Sequence, residues 1–209
     1  MRILVAILNP RFGGIPKRIA LVSEGVMGEG GMVSAVVPNG SDEAKYLLLS
    51  AGIPTEALTY DLLIPTKLEL TNKEMALWML MFQAFPTLLI REITRQQAEI
   101  VHVNGLCGIR AFTAAKIAGK RVIWHIVSAN YPKFLVWIWR RVFSRAADIT
   151  FFVSETTARF YVGRQSLRRS ERIIFEAVDT DESSKERIRP IDIEESRSEL
   201  HIGKEGNGN

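Results

Sequence analysis

The chain has 209 residues, with 27 Lys and Arg against 23 Asp and Glu, a net charge of +4 and a pI of about 9.3. Hydrophobic residues make up 47% and charged residues 24%, which excludes a disordered chain, a collagen-like chain and a supercharged nucleic-acid tail. One Cys excludes an internal disulfide framework and a Cys-rich zinc module, and the length suffices for a core without such staples.

Residues 2–8 form a run rich in Ile, Leu and Val, apolar on both faces. Such a run predicts a parallel strand covered by helices above and below. It is too short for a signal peptide and stops at Asn9-Pro10. Gly13-Gly14 then opens a helix, with Pro16 in its first turn, where a missing N–H costs nothing. Ile19, Val22, Val26 and Met27 share one face, and Gly28 and Gly30-Gly31 end the helix. Residues 32–37 read as a second strand, residues 42–51 as a short helix and residues 55–60 as a weak third strand. Thr71-Asn72-Lys73-Glu74 has the form of a capping box, starting a long helix toward Arg95 that Pro86 should kink. Residues 99–103, 121–127, 148–153 and 171–175 are strand-like, with helical stretches at 108–118, 132–147 and 156–164 between them. Repeated alternation predicts an α/β, doubly wound, mostly parallel Rossmann-like sheet of about seven strands, with helices on both faces. The most apolar stretch, residues 75–90, is shorter than the roughly 20 residues a spanning helix needs. A soluble or surface-bound cytoplasmic protein is the expectation. Charge dominates after Val178. One domain over 1–178 and a charged linker or tail over 179–209 is the simplest division.

Ligands of open parallel sheets bind at the carboxyl ends of the strands. Gly13 and Gly14 stand there, where a Gly pair allows close backbone approach and a helix N-terminus offers N–H groups to phosphate. The full Gly-x-Gly-x-x-Gly fingerprint is absent, and a tight turn is the plainer reading. Lys17 and Arg18 could meet an anion from the first helical turn or form a solvated face. Asn104 and Gly105 end the fourth strand on the ligand edge. His102, inside that strand, reads as a buried, hydrogen-bonded histidine. His125, near the end of the next strand, can donate to a sugar hydroxyl or stabilise developing charge. Two histidines on neighbouring strands make no metal site without a further ligand. Asp179 with Asp181, and Glu186 with Glu194, have the spacing of metal or sugar ligands but lie in the charged tail, so they are discounted. Cys107 reads as a small packed thiol.

Residues 134–143 mix aromatics with cations, and residues 77–89 offer a second apolar surface. Both read first as helices packed on the sheet. An anionic membrane surface is the other reading, carried forward as a candidate partner. The small net charge and the lack of a recognition motif argue against nucleic acid.

The order of these pieces resembles the amino-terminal domain of family 4 glycosyltransferases, of the GT-B fold. The likeness starts at Gly13-Gly14-Ile15-Pro16-Lys17-Arg18 and continues through Gly30-Gly31-Met32-Val33. Glu99-Ile100-Val101-His102-Val103-Asn104-Gly105 resembles the family's Asp-Ile-Val-His-x-His/Asn-Gly. His125 matches the His that closes the following strand, and Ala147-Asp148 to Ser154-Glu155 is similar to an Ala-Asp…Ser element. Arg172 to Thr180 resembles a stretch usually ending Asn-Gly-Val-Asp, with Glu176-Ala177 in place of Asn-Gly. Arg197-Ser198-Glu199-Leu200-His201-Ile202-Gly203 resembles the helix that precedes the family's second domain.

The resemblance implies transfer of a hexosyl group from a nucleotide-sugar to an acceptor hydroxyl, usually with retention and without an essential metal or other cofactor. It places Gly13 and Gly14 toward the donor phosphates and His125 near sugar and acceptor. The nucleotide-sugar would be held mainly by a second domain that would follow residue 209. The acceptor would be a sugar or a lipid-linked molecule. This chain alone is then expected to be inactive, because half of the cleft is absent. The alternative is a stand-alone Rossmann-like binding module that docks a partner subunit.

Overall fold

The structure is a computed structural model that describes residues 1–8, 14–58, 86–129, 131–163 and 167–175, the side chain of Cys107 excepted. Of the chain's two units, Met1–Glu176 and Ala177–Asn209, only the first contains described residues. Gly13, the capping box at 71–74, the apolar stretch up to residue 85 and the acidic pairs Asp179/Asp181 and Glu186/Glu194 lie outside them.

Seven strands form one sheet: β1 (Arg2–Ala6), β2 (Met32–Pro38), β3 (Thr55–Leu58), β4 (Ile100–Asn104), β5 (Arg121–Ile126), β6 (Ile149–Phe152) and β7 (Glu171–Ile173). The order is β3-β2-β1-β4-β5-β6-β7 and every pairing is parallel. Each expected strand is present, with ends displaced by one or two residues. The order reverses between β1 and β4, the position at which doubly wound sheets open a crevice for ligand.

The first strand shows why its sequence is apolar on both sides. Successive side chains point to opposite faces. Leu4, Ala6 and Leu8 enter one cluster with Val101, Val103, Trp124 and Phe152. Val5 and Ile7 enter the other with Val33, Ala35 and Val37. Helices α1 (Gly14–Gly28) and α2 (Asp42–Ser50) cover the second face through Ile19 and Leu48. On the first face lie α3 (Thr87–Arg95), α4 (Ile109–Ile117), α5 (Lys133–Ile138) and α6 (Glu155–Val162), through Leu89, Ala111, Leu135 and Tyr161.

Pro86 stands at the N-cap of α3, a position that needs no intrahelical N–H bond; the expected helix upstream of it lies outside the described residues. The helix begun by α5 continues as a π-helical turn, Trp139–Phe143. The wider turn keeps Trp139 inside while Arg141 and Val142 stay outside. A Cβ at Gly31 would lie 2.8 Å from the Val26 carbonyl oxygen, so the chain leaves α1 too tightly for any side chain there.

Candidate functional site

Parallel pairing sets neighbouring strands in register, and the register decides which side chains meet. Asn104 on β4 lies opposite His125 on β5, and His102 lies two residues before Asn104 on the same face. Three polar side chains therefore share one face at the carboxyl end of the sheet, beside the switch between β1 and β4. Their strand neighbours Val101, Val103, Trp124 and Ile126 point the other way, into the apolar cluster.

Asn104 is buried and joins three elements. Its Oδ1 accepts from the Arg18 guanidinium of α1 at 2.5 Å, and its Nδ2 reaches toward the Ala6 carbonyl of β1 at 3.5 Å. Arg18 is itself buried, one turn into α1. The imidazole rings of His102 and His125 stack with centres 5.7 Å apart and planes 12° apart, and Phe151 meets the His125 ring edge-on. Neither histidine has a hydrogen-bond partner for its buried Nε2 among the described residues. Burial, joined by the nearby Arg18 charge, pushes both imidazoles down to about 3. Both are therefore neutral at any physiological pH, and His125 offers an uncharged ring nitrogen for proton exchange or hydrogen bonding.

The turn after β4 closes around this group. Gly105 has φ 69° and ψ 174°, a conformation that a residue with a Cβ rarely adopts. Its N–H donates to the His125 carbonyl at 2.7 Å, and its own carbonyl accepts from the Trp124 indole N–H at 2.8 Å. The short 3₁₀ turn Leu106–Gly108 then leads into α4.

The residues singled out in the sequence divide accordingly. Asn104, Gly105 and His125 come together. Gly14 opens α1, exposed, and a Cβ there would meet nothing within 4 Å. Lys17 is exposed on α1 and enters no described ion pair. Two residues of the cluster were read otherwise in the sequence. His102 is buried as expected, but its Nε2 has no hydrogen-bond partner among the described residues and its ring faces His125. Arg18 is no solvated cation; it belongs to the buried group. The strand period, which sets His102 and Asn104 on one face, carried the signal for the first. For the second it lay in the place of Arg18 between Ile15 and Ile19 on the inner side of the helix. Among the described residues no group of three or more His, Cys, Asp or Glu is placed to hold a metal ion.

The fold defines a Rossmann-like α/β domain, with the polar cluster at the topological switch where such sheets bind ligands. No family model matches the chain, and no curated protein matches it. The fold is similar to that of several solved structures. HepE (Alr3699) of Anabaena, in complex with UDP and glucose, is 14% identical with a TM-score of 0.64, over 96% of this chain and 50% of that one. A glycosyltransferase from Rickettsia africae is 13% identical with a TM-score of 0.64, over 98% and 50%. A putative UDP-N-acetylglucosamine 2-epimerase from Listeria monocytogenes is 12% identical with a TM-score of 0.53, over 81% and 43%. The chain thus spans about half the length of the structures it matches. At these identities the likeness is one of fold, the α/β fold of GT-B domains.

Proposed function

We propose that these residues form the amino-terminal, acceptor-side half of a GT-B glycosyltransferase of the family 4 kind. The reaction moves a hexosyl group from a nucleotide-sugar to an acceptor hydroxyl, with retention and without an essential metal. The observation that carries the reading is the meeting of His125, Asn104 and Arg18 at the β1/β4 switch. Support also comes from the UDP and glucose named with the Anabaena structure.

In this reading the N-terminus of α1, with Gly13, Gly14 and Lys17, faces the donor phosphates. Its N–H groups and the Lys17 ammonium favour negative charge there. Asn104 and Gly105 form the wall beside the reacting sugar. His125, neutral and unpartnered at Nε2, hydrogen-bonds a sugar or acceptor hydroxyl and stabilises charge as it develops. The acceptor is a sugar or a lipid-linked molecule, met in the cytoplasm or at a membrane surface. A second domain supplies most of the contacts to the nucleotide-sugar, so these 209 residues alone transfer nothing.

Calorimetry with a nucleotide-sugar tests the division of labour. The present chain should show no micromolar binding and no transfer. A two-domain chain containing it should show both. Micromolar binding by the 209 residues alone would overturn the reading in favour of a self-sufficient binding module.

A further inference from the structure

We propose that the outward face of α5 and the turn that continues it docks on an anionic lipid bilayer. The helix is two-sided. Leu135, Val136 and Trp139 are buried in the sheet's aromatic cluster. Phe134, Trp137 and Val142 stand 38%, 59% and 58% exposed on the other side. Monomeric surfaces do carry single exposed apolar residues, but three along one short helix make a contiguous stripe. Lys133, Arg141 and Arg145 are exposed around that stripe, and the Arg141 guanidinium lies 5.6 Å from the centre of the Trp137 ring.

The charge around it is one-sided. Between Glu99 and Asp148 the chain carries eight Lys and Arg and no Asp or Glu. No acidic residue of this helix can therefore neutralise its cations. Tryptophan and phenylalanine rings flanked by arginine and lysine suit the headgroup level of a membrane, where rings enter the boundary and cations reach lipid phosphates. Rings that protrude among cations fit a fluid anionic surface. The helix is short and mixed, and among the described residues none is long and apolar enough to cross a membrane. The contact is peripheral.

The helix also starts beside the candidate site. The Tyr131 hydroxyl, two residues before it, would lie 3.7 Å from a Cβ placed on Gly105. Docking through this face brings the carboxyl edge of the sheet near the lipid headgroups. If sugar transfer is the activity, which rests on the reading above, the acceptor is lipid-borne.

Sedimentation with vesicles tests the docking without calling on sugar transfer, so either idea can fail alone. At low salt the chain should pellet with vesicles of phosphatidylcholine and phosphatidylglycerol in equal parts and not with phosphatidylcholine alone. The R141E/R145E double variant should lower partitioning by about tenfold or more, and W137S should weaken it with an unchanged melting temperature. No pelleting with the anionic vesicles, equal pelleting with neutral ones, or indifference to the charge reversal would overturn the proposal. So would a dimer in analytical ultracentrifugation that W137S dissolves, which would assign the face to a second copy of the chain.

Discussion

The two faces of the sheet are built from the same strands and differ in what they hold. On β5 the sequence alternates Val122, Ile123, Trp124, His125, Ile126. Val122, Trp124 and Ile126 enter a dry cluster, in which Trp124 stacks on Phe112 at 4.8 Å and meets Trp139 edge-on at 6.0 Å. Ile123 and His125 point to the face that α1 and α2 cover over β1 and β2. There Arg18, His102, Asn104 and His125 replace hydrocarbon at one edge. The first face is mainly aromatic and aliphatic, with a buried Thr150 and the Trp139 indole N–H among its few polar groups, whereas the second gathers four polar side chains at one edge.

The sharpest test of this contrast sits on adjacent residues. In a two-domain glycosyltransferase of the kind proposed, His125→Ala should lower turnover by about 10²- to 10⁴-fold, far more than the loss of its buried, stacked ring lowers stability. Equal turnover in steady-state assays would remove His125 from the chemistry. Trp124→Ala should act the other way and cost about 3–5 kcal/mol in urea unfolding, because it empties a large buried site. It also leaves the Gly105 carbonyl without the indole N–H. A loss under 1 kcal/mol, roughly the scale of a surface change, would mean that the aromatic face is not the packed one.

Gly105 lies where the two faces meet. Gly105→Ala should cost about 1–3 kcal/mol by thermal denaturation, since its φ of 69° disfavours any Cβ. Acid stability probes the same buried group. Both histidines are held near 3, below the ordinary 6.5. Between those values the unfolded chain binds protons that the folded chain refuses, so stability falls as pH drops from 6.5 toward 3. The slope is at most about 1.4 kcal/mol per pH unit for each histidine. Urea unfolding at pH 7 and pH 5 should show the loss, and His102→Gln should reduce it. An unchanged slope in that variant would place His102 in solvent.

Much of the fold was legible because a buried parallel strand cannot hide its composition. The run from Ile3 to Leu8 is apolar at every position, since both of its faces are covered. The sheet edge was legible too, because Asn104-Gly105 carries a turn signal and the ligand edge of such sheets is fixed by topology. Arg18 and His102 were less so. Their roles depend on the distance at which α1 packs over β1 and β4, a tertiary quantity that no local pattern encodes. The π-helical turn at Trp139–Phe143 was likewise unreadable, since its extra residue per turn follows from placing Trp139 inside while its neighbours stay out.

Strand order has a kinetic consequence. Strand β1 lies inside the sheet with a neighbour on each side, and one of the two, Ile100 to Val103, is synthesised nearly a hundred positions later. Until that segment emerges, one edge of the nascent strand stays open and its apolar side chains lack half their lining. Folding of the domain is therefore governed by a long-range closure, and the nascent chain is most exposed to misassociation while that closure is pending.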